Sequence, residues 1–363
     1  MQLRLERRPT ASRRMRYASP LIAAALTLLT GLVLFAALGK SPLAAFHAFF
    51  VAPVSSINGV AELLLKASPL VLIAIGLAVG FRGNVWNIGA EGQLTMGAIA
   101  AGGLALLPLA AEGPWVLPAM IVAGALGGMA WAAIPALLRT RFNANEILVS
   151  LMLTYVAQLL LSFLVHGPWR DPQGFNFPQS QLLPDAALLP ILIEGTRLNA
   201  SVLLTLAAAA AAWVFLNKSF QGYQMRVTGQ AESAAGYAGF SARRTIWIGM
   251  LTGGAAAGLA GVGEVSGPLG QLLPTVSPGY GFAAIIVAFV GRLNPVGIVL
   301  AGLLMSLLYL GGDAAQISMG LPAATTALFQ GALLFFLLGA DLFIAYRVRW
   351  VRSPHQTAQE VLA

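Results

Sequence analysis

The stretch GNVWNIGAEGQL, residues 83–94, separates two apolar runs and carries two asparagines, a glutamate, a glutamine and three glycines. Each flanking run is long enough to enter a bilayer, so four polar side chains stand close to hydrocarbon. On insertion scales an ionised carboxylate at the centre of a membrane helix costs about 2.5–3.5 kcal/mol. Irregular backbone is tolerated there only inside protein or along a water-filled cavity. Two readings follow. The segment lines a path, its interrupted helix offering free N–H groups to a ligand, or it is a polar turn at the membrane surface beside Arg82. The path reading makes Asn87, Glu91 and Gln93 the candidate contact residues.

The rest of the chain supports a membrane setting. Of 363 residues 58% are hydrophobic and 9% charged, with a mean hydropathy of +0.79. A soluble domain keeps about a quarter of its residues charged. Charge-free windows of roughly 18 residues recur and predict bilayer-spanning helices. The formal charge of +8 does not indicate nucleic acid, because the basic residues cluster beside apolar runs. Six arginines fall in the first 16 residues, and others at Arg139/Arg141, at Lys218, Arg226, Arg243 and Arg244, and at Arg347, Arg349 and Arg352. That pattern fixes cytoplasmic loops. Without cysteine the chain forms neither disulfides nor thiolate metal sites, and His47, His166 and His355 make no metal set. The basic N-terminus precedes an apolar stretch from Tyr17 to Gly39 that is long for a signal peptide, and AALGKS is a poor cleavage site. A retained first helix is expected.

Placing the basic clusters inside yields an all-α polytopic membrane protein of about ten transmembrane helices, with both termini cytoplasmic. The expected spans are about 18–38, 60–81, 90–110, 114–138, 146–165, 198–216, 245–263, 281–291, 296–312 and 320–346. Residues 1–363 form a single domain on this map, with cytoplasmic tails at 1–17 and 347–363. Residues 166–197 lie outside and 217–244 inside. Only Lys40, Lys66, Arg170 and Arg197 among the basic residues fall off the inner side. The run 281–291 is too short to cross about 30 Å of hydrocarbon. Broken or re-entrant backbone is therefore expected near 264–280 as well as 83–94. GFRGNVWNIGAEG (80–92) and FVGRLNPVGIVLAG (289–302) share an Arg, Asn and Gly turn, which is either an internal repeat or a chance likeness of membrane turns.

Several other polar residues bear on function. Asn145 and Glu146 open a helix, either capping it or lining a path, with Tyr155 and Gln158 following on the same helix. Glu264 and Gln271 flank the second broken stretch. Glu62 and Lys66, spaced i, i+4, are expected to pair. GKS at Gly39–Ser41 lacks the earlier glycine of a phosphate-binding loop, since position 34 is Leu, so the chain carries no ATP site of its own.

Three blocks together resemble a known family. FRGNVWNIGAEGQLTMGAIAA (81–101) is similar to the signature of permease subunits of bacterial ABC importers for simple sugars and nucleosides, relatives of the ribose and branched-chain amino-acid permeases. NANEILVSLMLTYVAQLL (143–160) resembles the next block of the nucleoside-type members, and RVTGQAESAAGYAGFS (226–241) their cytoplasmic coupling segment. The blocks fall in family order over nearly the whole chain. The resemblance implies alternating access, with Glu232, Ala235, Gly236 and Gly239, and less directly Arg226, docking on an ATPase subunit that binds the ATP. It also implies a second permease subunit, an extracytoplasmic solute-binding protein and a bacterial inner membrane. The solute is expected to be a nucleoside first and a simple sugar next. An ion-coupled secondary transporter of a small polar solute is the alternative, but it has no use for a coupling segment.

Overall fold

A computed structural model of the chain describes residues 2–10, 12–108, 113–322 and 324–351. Its elements run β1 (Gln2–Arg7), α1 (Arg13–Ala37), α2 (Pro42–Phe46), α3 (Ile57–Arg82), α4 (Ala90–Ala105), α5 (Val116–Phe142) and α6 (Glu146–His166). They continue with α7 (Ser201–Lys218), α8 (Phe220–Gln230), α9 (Glu232–Tyr237), α10 (Ala242–Glu264), α11 (Tyr280–Val290), α12 (Pro295–Met319), α13 (Ala324–Ala345) and β2 (Tyr346–Val351). Each of the ten expected spans contains one helix. Eight helices are long and apolar enough to cross a bilayer, among the described residues. The two that fall short are α4, with 16 residues, and α11, with 11. At 1.5 Å per residue they reach about 24 and 17 Å, against about 30 Å of hydrocarbon.

The helix ends follow local chemistry. Ser56 caps α3 by accepting from Gly59 N–H at 3.0 Å, Asn145 caps α6 through Ile147 N–H at 2.9 Å, and Ser219 caps α8 through Gly222 N–H at 2.9 Å. Helix α3 stops after Arg82, where Gly83 and then Asn84, at φ 56°, turn the chain. Arg292 and Leu293, at φ 59° and 52°, make a similar turn after α11, so the likeness of the two sequence stretches extends to the backbone.

The chain groups into two compact units. Residues 50–311 form the larger, around α3, α4, α5 and α10. Every residue of α3 from Ala67 to Phe81 is buried, which suits a helix that is apolar on all sides. Helices α5 and α10 approach through glycine: a Cβ on Gly128 or Gly258 would meet the other helix's backbone. Small residues of this kind let membrane helices pack by backbone contact. Residues 1–49 and 312–363 form the second unit. Within it α1 packs on α13, Phe35, Phe49 and Phe329 cluster with centroids 4.8–6.2 Å apart, and Ser19 hydrogen-bonds Asp341.

Four expectations change. Helix α1 begins at Arg13 rather than 18, α4 ends at Ala105 rather than near 110, and α12 runs to Met319 rather than 312. The termini are not simple tails, since β1 and β2 pair antiparallel from Gln2↔Val351 to Arg7↔Tyr346 and add a strand ribbon to an otherwise helical chain. Glu62 also takes a partner that its helix spacing does not signal, Arg197, which reaches both carboxylate oxygens at 2.8 Å. The expected cytoplasmic tail beyond residue 351 lies outside the described residues.

Candidate functional site

The stretch 83–94 is irregular from Gly83 to Gly89 and helical from Ala90. It runs alongside α11 in the opposite direction. Trp86 stacks on Phe289, with centroids 5.9 Å apart, while both contact Phe81 at 5.2 and 5.3 Å. Further along, Glu91 meets Gly281. From Phe289 back to Gly281 is eight residues, so the segment climbs about 12 Å along the helix. A flat surface turn has no such rise.

Three of the four polar side chains of this stretch are buried, Asn87, Glu91 and Gln93 at 1–2% exposure, while Asn84 at the turn is exposed. Buried amides demand partners, or each costs about 1–3 kcal/mol. Asn87 and Gln93 satisfy one another in a reciprocal pair, Asn87 Nδ2 donating to Gln93 Oε1 at 2.8 Å and Gln93 Nε2 donating to Asn87 Oδ1 at 3.0 Å. Asn87 Oδ1 also accepts from Gly89 N–H at 3.1 Å, which shapes the entry into α4.

Glu91 joins the two short helices. It lies in the first turn of α4, and its Oε2 accepts from Gly281 N–H, in the first turn of α11, at 2.6 Å. The Ser277 hydroxyl and the Gly279 N–H also reach the carboxylate. A helix N-terminus carries partial positive charge and unpaired N–H groups, so a carboxylate there is stabilised. The approach is close because residue 281 is glycine: a Cβ would strike the backbone of Glu91. Ser277 Oγ in turn accepts from Gly279 N–H at 3.1 Å and Tyr280 N–H at 2.9 Å. Gly279 adopts φ 94°, which an L side chain resists. Within SPGYG these serine and glycine positions are a legible cap signal, although only the fold shows that Glu91 shares the cap.

Helix α6 supports the other side. Glu146 binds Arg139 as an ion pair and accepts from Trp86 N–H at 3.5 Å, and Ser150 Oγ accepts from Ile88 N–H at 3.3 Å. Gly89 and Gly92 rest on Ser150 and Thr154. Asn145 caps α6, while Glu146 holds the 83–94 stretch in place. Tyr155 and Gln158 are not brought to this cluster: the buried side of α6 is Ser150, Thr154, Ala157, Leu161 and Val165, and Tyr155 is more than half exposed. Glu264 ends α10, buried against a small cavity lined also by Ser68 and Ser201, with Lys66, Glu91 and Arg197 acting on it through space. Gln271 follows in the irregular stretch and is half-buried.

A second polar break, residues 219–241, folds differently. Helices α8 and α9 are short, and Glu232 and Gly236 are exposed, as is Gly239 at φ 76°. Ala235 is buried and supports the turn, its carbonyl accepting from Phe240 N–H at 2.9 Å. Arg226 donates to Leu216 C=O at 3.0 Å and ties α8 to the end of α7. Phe220, Tyr223 and Phe240 form a cluster with centroids 6.0–6.3 Å apart, and Phe220 and Tyr223 remain more than half exposed. Tyr237 is almost fully exposed. Aromatic anchors of this kind dominate protein interfaces. Along the chain the small residues and Glu232 stand out more than these rings, although the spacing of Phe220 and Tyr223, i and i+3 on one helix face, is a signal of its own.

Comparison with known proteins gives this arrangement a context. The family described as the branched-chain amino acid transport system permease component matches residues 59–338. The glucose ABC transporter permease protein TsgB13 of Haloferax volcanii is 37% identical over 362 residues, covering 96% of this chain and 94% of the relative. The guanosine ABC transporter permease protein NupP of Bacillus subtilis is 32% identical, covering 92% and 94%. The nucleoside ABC transporter permease protein NupB of Lactococcus lactis is 27% identical, covering 88% and 89%. No solved structure matches the chain. Relatives of this kind set aside the ion-coupled alternative.

Proposed function

We propose, from the premise that the chain belongs to the branched-chain amino acid transport system permease family and is the membrane-spanning permease of an ATP-driven ABC importer, that it carries a nucleoside or a simple sugar along a path built around Glu91. One observation carries the reading. The two short helices, α4 and α11, each follow a broken stretch, and their N-termini meet at the Glu91 carboxylate. Paired short or interrupted segments are where transporters place their substrate sites. Asn87, Gln93 and Glu91, with Glu264, Gln271, Asn145 and Glu146 nearby in sequence or structure and Tyr155 and Gln158 further out, supply uncharged and acidic acceptors suited to hydroxyl groups. The names of the glucose, guanosine and nucleoside relatives share a solute rich in hydroxyls, glucose itself or a sugar-bearing base.

The chain crosses the membrane about ten times with both termini in the cytoplasm, since the basic clusters then fall inside. The membrane is the inner membrane of a bacterium. Helices α8 and α9 dock on an ATPase subunit, which binds the ATP, with Glu232, Gly236, Gly239 and the rings of Phe220, Tyr223 and Phe240 at the contact. A second permease subunit completes the path, and a solute-binding protein delivers solute from outside. ATP-driven closure pulls on α8 and α9, and α7 and α10, which continue from them, pass the movement to the helices around Glu91.

The test is uptake into proteoliposomes holding the permease with its ATPase and binding protein, comparing labelled guanosine, ribose and glucose. ATP-dependent uptake of any of the three supports the reading and assigns the solute. Uptake of none of them, with ATPase activity intact, refutes the solute class.

A further inference from the structure

The ribbon of β1 and β2 concentrates charge. Residues 2–16 and 346–351 hold eight arginines and a single acid, Glu6. The ribbon is tethered at a membrane-helix end. Strand β2 begins at Tyr346, directly after Ala345 ends α13, with no linker between them. The chain between β1 and α1 is pinned to the same place: Arg8 N–H donates to Ala345 C=O at 2.7 Å, Ser12 N–H to Ile344 C=O at 3.0 Å, and Arg8 Nε to Tyr346 C=O at 3.2 Å.

Alternation along β2 separates two chemistries. Tyr346 and Val348 fall on one face, and Arg347 and Arg349 on the other. Tyr346 is 38% exposed and Val348 47%. Arg347 and Arg349 both contact Glu6, at 3.0 and 3.3 Å, so one carboxylate is shared between two guanidinium groups and a positive surplus remains. A lone two-stranded ribbon is marginal in water. This one therefore needs a surface that covers an apolar, tyrosine-bearing face while matching a cationic one.

We propose that the terminal ribbon is a docking element for anionic phospholipid, lying in the headgroup layer where α1 and α13 leave the membrane. Tyr346 takes the interfacial position that tyrosine favours. An interfacial element sinks its apolar face about 5–10 Å into the headgroup and acyl boundary. Arginines on the opposite face then still reach phosphate groups, because their long stems extend toward them. The inference rests on the membrane placement of α1 and α13 and is independent of which solute the permease carries.

The complete importer in nanodiscs tests it, with phosphatidylcholine alone compared with an equal mixture of phosphatidylcholine and phosphatidylglycerol. Phosphatidylglycerol retained by the purified complex is measured by native mass spectrometry. Each arginine near an anionic surface contributes enough that the double change Arg347→Gln/Arg349→Gln should lower retention about tenfold or more. The charge-keeping Arg347→Lys/Arg349→Lys should hold most of it. Equal retention in the wild type and the glutamine variant overturns the proposal. So does loss of the ATPase subunit from the glutamine variant in both lipid compositions, which would make the ribbon a protein contact. Should the double variant fail to assemble, Arg349→Gln alone carries the same comparison, since its side chain is 59% exposed and ends in one 3.3 Å contact.

Discussion

The stretch 83–94 and the segment 219–241 are both polar, glycine-bearing breaks in an apolar chain, and the fold treats them in opposite ways. In the first, Asn87, Gln93 and Glu91 are buried and paired, and Gly281 lets a second helix end close on them. In the second, Glu232 and the rings of Phe220, Tyr223 and Tyr237 are left exposed. A polar residue inside a membrane protein therefore has two uses that composition does not distinguish. A satisfied and buried group positions the path, while an exposed group with aromatic neighbours is offered to a partner.

The comparison breaks most sharply at the exposed segment. Replacing both rings, Phe220→Ala/Tyr223→Ala, should cut ATPase association about 30-fold or more, as loss of interface anchors does. Membrane insertion and thermal unfolding of the permease alone should be unchanged. Pull-down of the ATPase subunit reads the first and a melting curve the second. Retained association would move the contact away from these rings. Glu232→Ala, tested in the same way, should abolish ATP-coupled uptake with the fold intact, and unchanged uptake would remove Glu232 from the contact.

In the buried region the expected effects are on stability. Gly281→Ala places a methyl group against the Glu91 backbone and should cost about 1–3 kcal/mol by overpacking, read as a lower midpoint of thermal unfolding in detergent. An unaltered midpoint would mean that α4 and α11 separate without penalty. Asn87→Leu leaves Gln93 unpaired and should also cost about 1–3 kcal/mol, whereas Asn87→Leu/Gln93→Leu should cost less than the single change. A double variant that is worse than the sum of the singles would refute the reciprocal pair. Glu91→Gln should impair uptake while the ATPase stays bound, and release of the ATPase would make the residue structural.

The smallest effects belong to surface ion pairs. Arg197→Gln, whose side chain is 63% exposed, should change stability by about 1 kcal/mol at most. At the ribbon, hydrogen bonding from Arg347 holds the Glu6 carboxyl below its usual range. A depressed carboxylate stabilises above its unfolded pKa and loses that contribution as pH falls through the folded one. The pairing should therefore persist at neutral pH and weaken only on acidification below the ordinary carboxylate range. Ribbon protection against hydrogen exchange, followed from neutral to acid pH, would show this, and protection that does not depend on pH would exclude it.

Much of the architecture was legible along the chain, because hydropathy and capping act over a few residues. The ten helix positions, the brevity of the run at 281–291 and the breaks at 83–94 and 264–280 all correspond to observed features. Helices α1, α4 and α12 differ most at their ends, and the strand ribbon carries no signal along the chain because hairpin signals require neighbouring strands, whereas β1 and β2 lie at opposite ends of the chain. For the candidate site, residue type was legible and so was the capping of α6 by Asn145, one of its two readings, whereas the pairing of Glu146 with Arg139 and the exposed placement of Tyr155 on α6 depend on the fold.

What the sequence determined by itself was the class of molecule: an apolar, helical chain whose arginine clusters, polar breaks and block order mark it as an ABC permease. Those properties are local or additive, so they survive without knowledge of contacts. Tertiary structure alone decided that Glu91 caps α11 from 190 residues away, that Arg197 selects Glu62, and that the two termini pair. Each of these depends on which groups are brought out of water together, and burial, which makes an unpaired polar group costly, is a property of the folded chain and not of any segment of it.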